Sequence, residues 1–424
     1  MDRRSFMMLA GGALLAPKPA FAAAAVDKPV TLTIIRTASD SDVKLMNSVM
    51  ERFKKKFPSV EVKPQFITSN PWGEYINQLM NLVGSGQTPD IITMPTEGVS
   101  TLGSRKLLRN LDDFLNSDPG AKELLADVEA NLLTGLSYQG AVNLFPTEWN
   151  TVAVYYNTKM FEAAGLDKPS ADWDWATFLE TAKKLTRTDA SGRTTQYGYV
   201  VSGKNFSLMP WFLTNGTDRL TPDGTQSNVK DPRFKETLVF LRSLIAEHKV
   251  SPTFARNNAG ESALISENAA MITTTHSSVP AMISGKADFI DVQVFPKNRT
   301  NVSIFGAGGV GVSTASKEPE LAWELVKELT GKEFEDELAK NMRATPARRS
   351  SATSSPYSDF PPNAKIFYEA AATAKPLIAP PNFAQVEDIM MRHVDAYLTG
   401  NVEIDPMIDQ LDEELSRAMS RVRW

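Results

Sequence analysis

The sequence has 424 residues, enough for two domains, and its 42% hydrophobic and 22% charged residues are ordinary for a folded globular protein. The net charge of −5, without long basic runs, argues against a nucleic-acid-binding protein. The chain has no cysteine, which excludes disulfides, thiolate metal sites, cysteine nucleophiles and a lipid-anchored N-terminal cysteine.

The first 22 residues have the pattern of a cleaved export signal. Arg3 and Arg4 precede an apolar stretch from Met7 to Ala16, and Ala20-Phe21-Ala22 has the small-x-small form of a cleavage site. The arginine pair is typical of twin-arginine signals, but Asp2 stands where those signals carry Ser or Thr, so twin-arginine and general secretion both stay open. We therefore expect an exported protein, free in the periplasm and without a lipid anchor.

Strand and helix patterns alternate after this signal. Strands are predicted at 30–35, 60–62 and 89–94, and amphipathic helices between them carry apolar faces over 43–53 and 75–83. This order predicts an α/β lobe with a largely parallel sheet. Ligands bind beyond the carboxyl ends of such strands. The loops Arg36-Thr37-Ala38-Ser39 and Pro95-Thr96-Glu97 are therefore candidate binding loops.

A second lobe is predicted to begin near Phe145. The apolar run 152–156 predicts a strand, and the apolar spacing over 175–185 predicts a helix. Loops are predicted where Gly, Asp, Thr, Ser or Pro accumulate, at 217–227 and 350–363. Further helices are predicted near 233–247, near 320–330 and in the tail from 385 to 421.

The segment Val154–Leu166, continued through Pro169, Trp173 and Leu185-Thr186, closely resembles the extracellular solute-binding proteins of sugar-type ABC importers. That family includes maltodextrin- and glycerophosphate-binding proteins. Four further segments are similar to the same family, and all five occur along the chain in the order in which the family has them. The four are Gly86–Ile92, Leu107–Phe114, Ala269–Ile272, and Phe305–Val312 leading to Ala322–Val326. The resemblance thus covers nearly all of the chain after the signal.

The resemblance implies the two-lobed α/β fold of type II periplasmic binding proteins, with a hinge of about three crossings. The crossings are expected near Phe145-Pro146, Phe295-Pro296 and Thr345-Pro346. Lobe one would then comprise 27–145 and 296–344, and lobe two 146–295 and 345–424. A ligand in the cleft between the lobes would favour a hinge-closed state.

The same resemblance implies binding without chemistry, so we expect no enzymatic activity, no cofactor and no metal. The expected partners are a small-molecule carbohydrate and the transmembrane subunits of an ABC permease. The binding protein itself is expected to be a monomer.

Carbohydrate sites combine aromatic side chains, which cover the apolar faces of the sugar, with planar polar groups that bond its hydroxyls. Trp72, Trp149 and Trp211 are candidates for the aromatic role, with plain packing as the alternative for each. Glu97 and Glu148 can each accept hydrogen bonds from two hydroxyls, although Glu97 can also be a helix N-terminal charge. The remaining candidates lie at predicted loops, crossings and the tail: Arg36, Ser39, Thr96, Asn150, Asn205, Thr275, His276, Gly306, Gly308, Arg343 and Glu387.

Two of these glycines also match a different motif. Gly306-x-Gly308-x-x-Gly311 has the spacing of the dinucleotide fingerprint, which needs a helix to open inside it. The segment from Val310 to Ser313 instead continues as a strand pattern, so nucleotide binding is not expected. The glycines are better explained by close approach of backbone to ligand at the hinge.

A polyol phosphate and an enzymatic role are the alternatives to carbohydrate binding. The phosphate-holding arginine of glycerophosphate-binding relatives falls in Phe383–Glu387, where this chain offers Glu387, and a carboxylate repels phosphate. Arg36 and Arg343 can still serve an anionic sugar. A secreted carbohydrate-active enzyme would have to use Glu97 and Glu148, about 6.5–9.5 Å apart for an inverting mechanism, and nothing in the sequence marks either as the acid.

Overall fold

A computed structural model describes residues 28–37, 40–68, 72–258 and 260–422. The predicted export signal and Ser39 lie outside these described residues. No helix in the described ranges is long and apolar enough to cross a membrane. The described chain packs around two large apolar cores and a smaller one beside the second, which define two lobes.

Strands and helices alternate at the start of the first lobe because segments in which every second residue is apolar are followed by segments whose apolar residues have the spacing of one helix face. The elements are β1 (Val30–Thr37), α1 (Asp40–Lys56), β2 (Val60–Ile67), α2 (Trp72–Gly84) and β3 (Ile91–Pro95). β1 lies between β2 and β3 and runs parallel to both, with Val30 opposite Val60 and Ile34 opposite Ile91. The predicted alternation of strands and helices in this part is confirmed.

Short helices and a hairpin lead from β3 to the junction of the lobes. They are α3 (Thr96–Ser104), α4 (Asp112–Ser117), α5 (Ala121–Ala126), α6 (Ala130–Gly135), β4 (Ser137–Tyr138), β5 (Ala141–Val142) and β6 (Phe145–Thr151). The apolar core follows β6 as far as Trp149, and Val152 already belongs to the second core.

The second lobe has a small antiparallel sheet flanked by helices, in the strand order β10 (Met271–Thr274), β7 (Ala153–Asn157) and β11 (Ile290–Gln293). Its elements are β7 (Ala153–Asn157), α7 (Thr158–Ala163), α8 (Trp175–Leu185), β8 (Arg187–Thr188), β9 (Thr194–Gln196), α9 (Asn205–Thr214), α10 (Pro232–Ala246), α11 (Glu261–Ile265), β10 (Met271–Thr274), a 3-10 helix (His276–Ser278), α12 (Val279–Ser284) and β11 (Ile290–Gln293). The helices expected at 175–185 and 233–247 are confirmed within two residues at each end. α9 was not predicted, because it is buried almost all round and has no amphipathic pattern.

The rest of the chain returns to the first lobe and then ends on the second. Its elements are β12 (Ile304–Val312), α13 (Pro319–Leu329), α14 (Lys332–Asn341), β13 (Thr345–Pro346), α15 (Arg349–Ala352), a 3-10 helix (Tyr357–Asp359), α16 (Lys365–Glu369), a 3-10 helix (Ala370–Ala372), β14 (Lys375–Pro376), α17 (Phe383–Leu398) and α18 (Ile404–Met419). The predicted tail helices correspond to α17 and α18.

The sheet of the first lobe is mixed and not largely parallel, which corrects the prediction. Its order is β13-β6-β12-β3-β1-β2, and β14 pairs with β12. β12 runs antiparallel to both β3 and β6, because it enters the sheet from the second lobe and therefore in the opposite direction. Local sequence patterns contain no information about that direction.

Packing also moves the lobe boundaries from the predicted positions. Residues 296–304 stay with the second lobe, since the Lys297 N–H donates to the Trp173 carbonyl and Ile304 lies in the second core. The first core begins again at Phe305. Residues 345–352 belong to the first lobe, where Ala347 and Ala352 are core residues.

The last passage between the lobes is a longer segment than the single crossing predicted at Thr345-Pro346. After Ala352 the chain contributes Phe367 to the small core of the second lobe. It then contributes Tyr368 and Ala374 to the first core, and Leu377 to the second. The segment 352–377 thus contacts both lobes repeatedly.

A buried ion pair ties α13 to the segment before α5. The Trp323 indole N–H donates to Asp118 at 2.8 Å, and Lys327 Nζ lies 2.6 Å from the same carboxylate oxygen. Burial alone would raise the pKa of Asp118, but hydrogen bonds from Lys327, Trp323 and the Gly120 N–H outweigh it, so the pKa of Asp118 is lowered.

Asp118→Asn is expected to destabilise the protein by about 1–3 kcal/mol at neutral pH, because it removes the charge that Lys327 pairs with. A carboxyl with a lowered folded pKa stabilises the fold above its unfolded pKa and loses that contribution as pH falls through the folded pKa. Urea unfolding from pH 7 down to pH 3 should therefore show a shallower decline for Asp118→Asn than for the wild type. Asp167→Asn, at an exposed position, is the control. Parallel pH profiles for Asp118→Asn and wild type would contradict this role of Asp118.

Candidate functional site

The two lobes meet along β6 and β12, whose side chains alternate between two faces. Gly308 lies opposite Glu148, and Gly306 lies opposite Asn150, so these four residues share one face. A Cβ atom at Gly308 would lie 3.0 Å from Glu148 Cγ. At Gly306 it would lie 3.3 Å from the ring of Phe206 and 4.0 Å from Glu97 Oε1. These glycines therefore form the floor of a narrow space between the lobes.

Direct contacts across this space show that the lobes lie against each other. A Cβ atom on Gly73, in the first turn of α2, would lie 2.7 Å from Ala384 Cβ on α17. Thr101 Oγ1 on α3 donates to the Pro381 carbonyl at 3.0 Å. The two lobes are therefore in direct contact at α2 and α3.

One side of the cleft is centred on Arg36, which follows from its place at the carboxyl end of β1. The guanidinium lies over the ring of Phe334 at 5.5 Å, and only 5% of the residue is exposed. Its Nε and Nη1 atoms are buried without a hydrogen-bond partner. Arg36, Trp72 and Glu148 line a cavity of about 20 Å³, room for about one or two water molecules.

Two more residues, Arg343 and Trp72, lie near Glu148 on this side of the cleft. Burial raises the pKa of Glu148, while the nearby Arg36 and Arg343 partly offset that rise. Arg343 Nη1 lies 3.9 Å from Asp42 Oδ2 on α1. Trp72 keeps 39% of its surface exposed and meets Tyr75 edge to face.

The other side of the cleft brings a carboxylate from each lobe together. Glu97, in the first turn of α3, is buried, and burial together with the nearby Glu387 raises its pKa to about 7. Burial likewise raises the pKa of Glu387 on α17. Asn205, at the start of α9, donates from Nδ2 to Glu387 Oε1 at 3.0 Å, and its Oδ1 is buried without a partner.

Two predicted aromatic residues pack in the interior, and their predicted ligand contact is corrected. Trp211 is fully buried within an aromatic cluster of the second core, 5.4 Å from Trp175 and 4.7 Å from Phe295. Trp149 is also buried and points to the opposite face of β6 from Glu148, against Phe305. Both tryptophans therefore take the packing alternative.

His276 is corrected in the same way. It is fully buried, stacks on Tyr357 at 4.2 Å, and places Nδ1 2.8 Å from the Met342 carbonyl. Burial lowers its pKa to about 4, so the ring is neutral at physiological pH. His276 thus joins the last crossing segment to the second lobe.

Two predicted threonines have their hydroxyls engaged by neighbours. Thr96 Oγ1 accepts from the Ala307 N–H at 2.9 Å and donates to the Ala307 carbonyl at 3.2 Å, which joins α3 to β12. The Thr275 hydroxyl lies 2.7 Å from Ser277 Oγ at the surface. Thr96 therefore positions the neighbouring Glu97, and Thr275 is bonded locally.

The sequence pattern missed Phe206 and Arg219. Phe206 contacts the floor of the cleft at Gly306. The one sequence feature that pointed to this location was its position next to the candidate Asn205. Arg219 lies fully buried behind the two carboxylates and donates to the Ile378 carbonyl at 2.9 Å. An arginine in a predicted surface loop contains no local sign of such burial.

A separate cavity of about 280 Å³ lies between the lobes beside Thr96. Lobe one contributes Ser100 and Thr134 to its lining, and lobe two contributes Asp223 and Ile378. In residues 28–422, as far as the structure describes them, no group of three or more His, Asp or Glu side chains is placed to hold a metal ion.

Two α/β lobes in contact, with a polar space between them, define a two-lobed binding protein. Residues 38–335 match the family model of the bacterial extracellular solute-binding proteins, and the chain belongs to this family. The predicted membership of a binding-protein family, and not of an enzyme family, is confirmed by this match.

Similar proteins agree with this family. A putative binding protein of Brucella abortus (strain 2308) is 23% identical over 402 residues, 89% of this chain and 94% of the relative. A substrate-binding protein of Listeria monocytogenes, solved with cycloalternan, has a TM-score of 0.78 at 22% identity, over 93% of this chain and 100% of that one. The sugar-binding protein of Xanthomonas citri has a TM-score of 0.79 at 14% identity, over 92% and 98%. The predicted two-lobed periplasmic-binding-protein fold is confirmed.

Substitution of the two tryptophans should separate packing from ligand contact. Trp211→Ala is expected to lower the free energy of unfolding by about 3–5 kcal/mol because it leaves a large cavity in the second core. Trp72→Ala should change stability by less than about 0.5 kcal/mol, because the side chain is exposed. Urea unfolding measures both values, and equal losses would contradict the assignment of Trp211 to the core and Trp72 to the cleft edge.

Gly73→Val is expected to prevent the lobes from approaching as closely as they do here, because its Cβ meets Ala384. The expected result is a larger radius of gyration by small-angle X-ray scattering with unchanged helix content by circular dichroism. Gly84→Val is the matched control on the same helix, since its Cβ would meet nothing within 4 Å. An unchanged radius in Gly73→Val would show that this contact does not limit closure.

Proposed function

We propose that this protein binds a carbohydrate between its two lobes in the periplasm and delivers it to the permease of an ABC importer. The carrying observation is the set of buried polar atoms without partners at the junction: Arg36 Nε and Nη1, Asn150 Oδ1 and Asn205 Oδ1. Such atoms cost about 1–3 kcal/mol each while unpaired. A ligand that supplies the missing partners recovers this cost.

A sugar has the groups that these atoms lack. Each hydroxyl both donates and accepts, so one ring can accept from Arg36 and donate to Asn150 and Asn205. Phe206 at Gly306 and Trp72 at the cleft edge supply apolar surface for the C–H face of a ring.

Closure of the two lobes around a ligand follows from the fact that the binding groups belong to both lobes. Arg36 and Glu97 belong to elements of lobe one, and Asn205 and Glu387 to elements of lobe two. A ligand bonded to both sets binds the closed form more tightly and shifts the population toward it. The permease can then recognise the closed form as the loaded one, and we expect the protein to act as a monomer.

The comparisons support a sugar as the ligand class. The Listeria monocytogenes protein was solved with cycloalternan, and a Thermotoga lettingae solute-binding protein of TM-score 0.75 was solved with α-D-tagatose. The exported state rests on the signal pattern of the first 22 residues together with the family, and Ser39 stays a proposed site residue.

Arg36→Ala is expected to weaken carbohydrate binding about 10- to 100-fold, the equivalent of losing one or two charge-assisted hydrogen bonds. Ligand carried through native purification is identified by mass spectrometry and then titrated by calorimetry. Arg193→Ala, on an exposed loop, is the control and should leave affinity unchanged.

A thermal-shift panel tests the ligand class, because a ligand that binds only the folded state stabilises it by mass action. Mono- and oligosaccharides are expected to raise the melting temperature, and glycerol phosphates are not. Stabilisation by glycerol phosphates alone would overturn the proposal in favour of a polyol-phosphate-binding protein. Shortened sugar products after incubation with an oligosaccharide would overturn it in favour of an enzyme.

A further inference from the structure

We infer that the subsite between Glu97 and Glu387 takes a cationic amino group, and that the ligand is an amino sugar with a free amine. This inference rests on the proposed function, since it names the substrate class of the same cleft.

When both are ionised, Glu97 and Glu387 are only partly compensated by the positive charges near them, Arg219 for both and Arg256 for Glu387. Neither Glu97 nor Glu387 forms an ion pair with any residue in the part of the chain that the structure describes. Arg219, the nearest buried cation, has Asp218 as its own counter-ion, with Nη1 3.9 Å from Oδ1. Glu97, which is buried, and Glu387, which is half-buried, thus have no ion-pair partner of their own and share the charge of Arg219 with Asp218.

The second nearby cation is also engaged. Arg256 Nη2 bonds Asp388 Oδ1 at 2.8 Å on the exposed side of α17. Arg219 and Arg256 each therefore have an acid partner. A ligand cation is the missing counter-charge, because opposite charges in a poorly solvated site attract more strongly than in water.

The hydrogen-bonding groups at this subsite are acceptors. Each ionised carboxylate accepts only, and Asn205 uses its Nδ2 on Glu387, which leaves Oδ1 as a further acceptor. Asn205 is 5% exposed, and its Oδ1 is buried without a partner. An ammonium group offers three donors and no acceptor, which is the complement of these groups.

Protonation explains how the site is tolerated when it is empty. Burial and the neighbouring Glu387 raise the pKa of Glu97 to about 7, so a proton is held there near neutral pH. Arg219 acts in the other direction and keeps part of the negative charge. An ammonium group would replace this proton.

The subsite depends on contact between the lobes, because its residues come from both. Glu97 lies on α3 of lobe one, while Asn205 and Glu387 lie on α9 and α17 of lobe two. A cation between them is bonded by both lobes only when they are together. The ring of Phe206 beside Gly306 lies next to the same place and can cover the sugar ring that carries the amine.

Calorimetry with matched sugars tests the inference. Glucosamine and galactosamine, and short oligosaccharides of each, are compared with the N-acetylated and the neutral sugar of the same length. At least one amine is expected to bind ten times or more tightly than both of its matched sugars. At pH 7, binding of that amine should release protons, seen as different apparent enthalpies in phosphate and Tris buffers.

Isosteric variants connect the preference to the two carboxylates. Glu97→Gln and Glu387→Gln are each expected to reduce the preference for the amine over the matched neutral sugar at least tenfold. Glu413→Gln, exposed on α18, is the control. Melting temperatures without ligand establish that each variant is folded, and Glu97→Gln should be at least as stable as the wild type because it removes a buried charge.

The outcomes separate this inference from the proposed function. Equal or tighter binding of the neutral sugars would overturn the amino-sugar inference while leaving carbohydrate binding intact. A retained amine preference in both Gln variants would also overturn it. Binding of none of these sugars, with glycerol phosphates binding instead, would overturn both.

Discussion

The insertion of β12 between β3 and β6 is the constraint on which the rest of the structure depends. This strand arrives from the second lobe and pairs antiparallel with both neighbours. Its two faces have different requirements. On one face, a Cβ at Gly309 would lie 2.7 Å from Leu136 in the first core. On the other, Gly306 and Gly308 allow Phe206 and Glu148 to approach the backbone. The glycines on the two faces of β12 thus allow this one strand to pack against the first core and to form the floor of the cleft.

Charge is distributed unevenly across that floor. On the Arg36 side, Arg36 and Arg343 stand near Glu148 and partly offset the effect of burial on its pKa. On the Glu97 side, two carboxylates from different lobes lie close together. Contact between the lobes brings these like charges together, which costs free energy unless a proton or a ligand compensates.

Packing residues and cleft residues are separated by the alternation of β6. Glu148 and Asn150 face the cleft, whereas Trp149 between them contacts Phe305 in the interior. All three were candidate ligand contacts, because the sequence predicts the crossing between the lobes near these residues but not the face of the strand on which each side chain lies. The same limit applies to Trp211 and His276, whose burial depends on helices and crossing segments distant in the sequence.

The sequence by itself determined the first strands and helices, the second lobe and the family, because these depend on local periodicity and on short motifs. It also located Glu97, Asn205 and Glu387 as candidates. Only the tertiary structure decided that these three lie together, that β12 reverses direction in the sheet, and that the last passage between the lobes extends over 352–377. Glu97 and Glu387 are nearly 300 residues apart in the chain, and their proximity follows from the packing of α3 and α17 across the cleft.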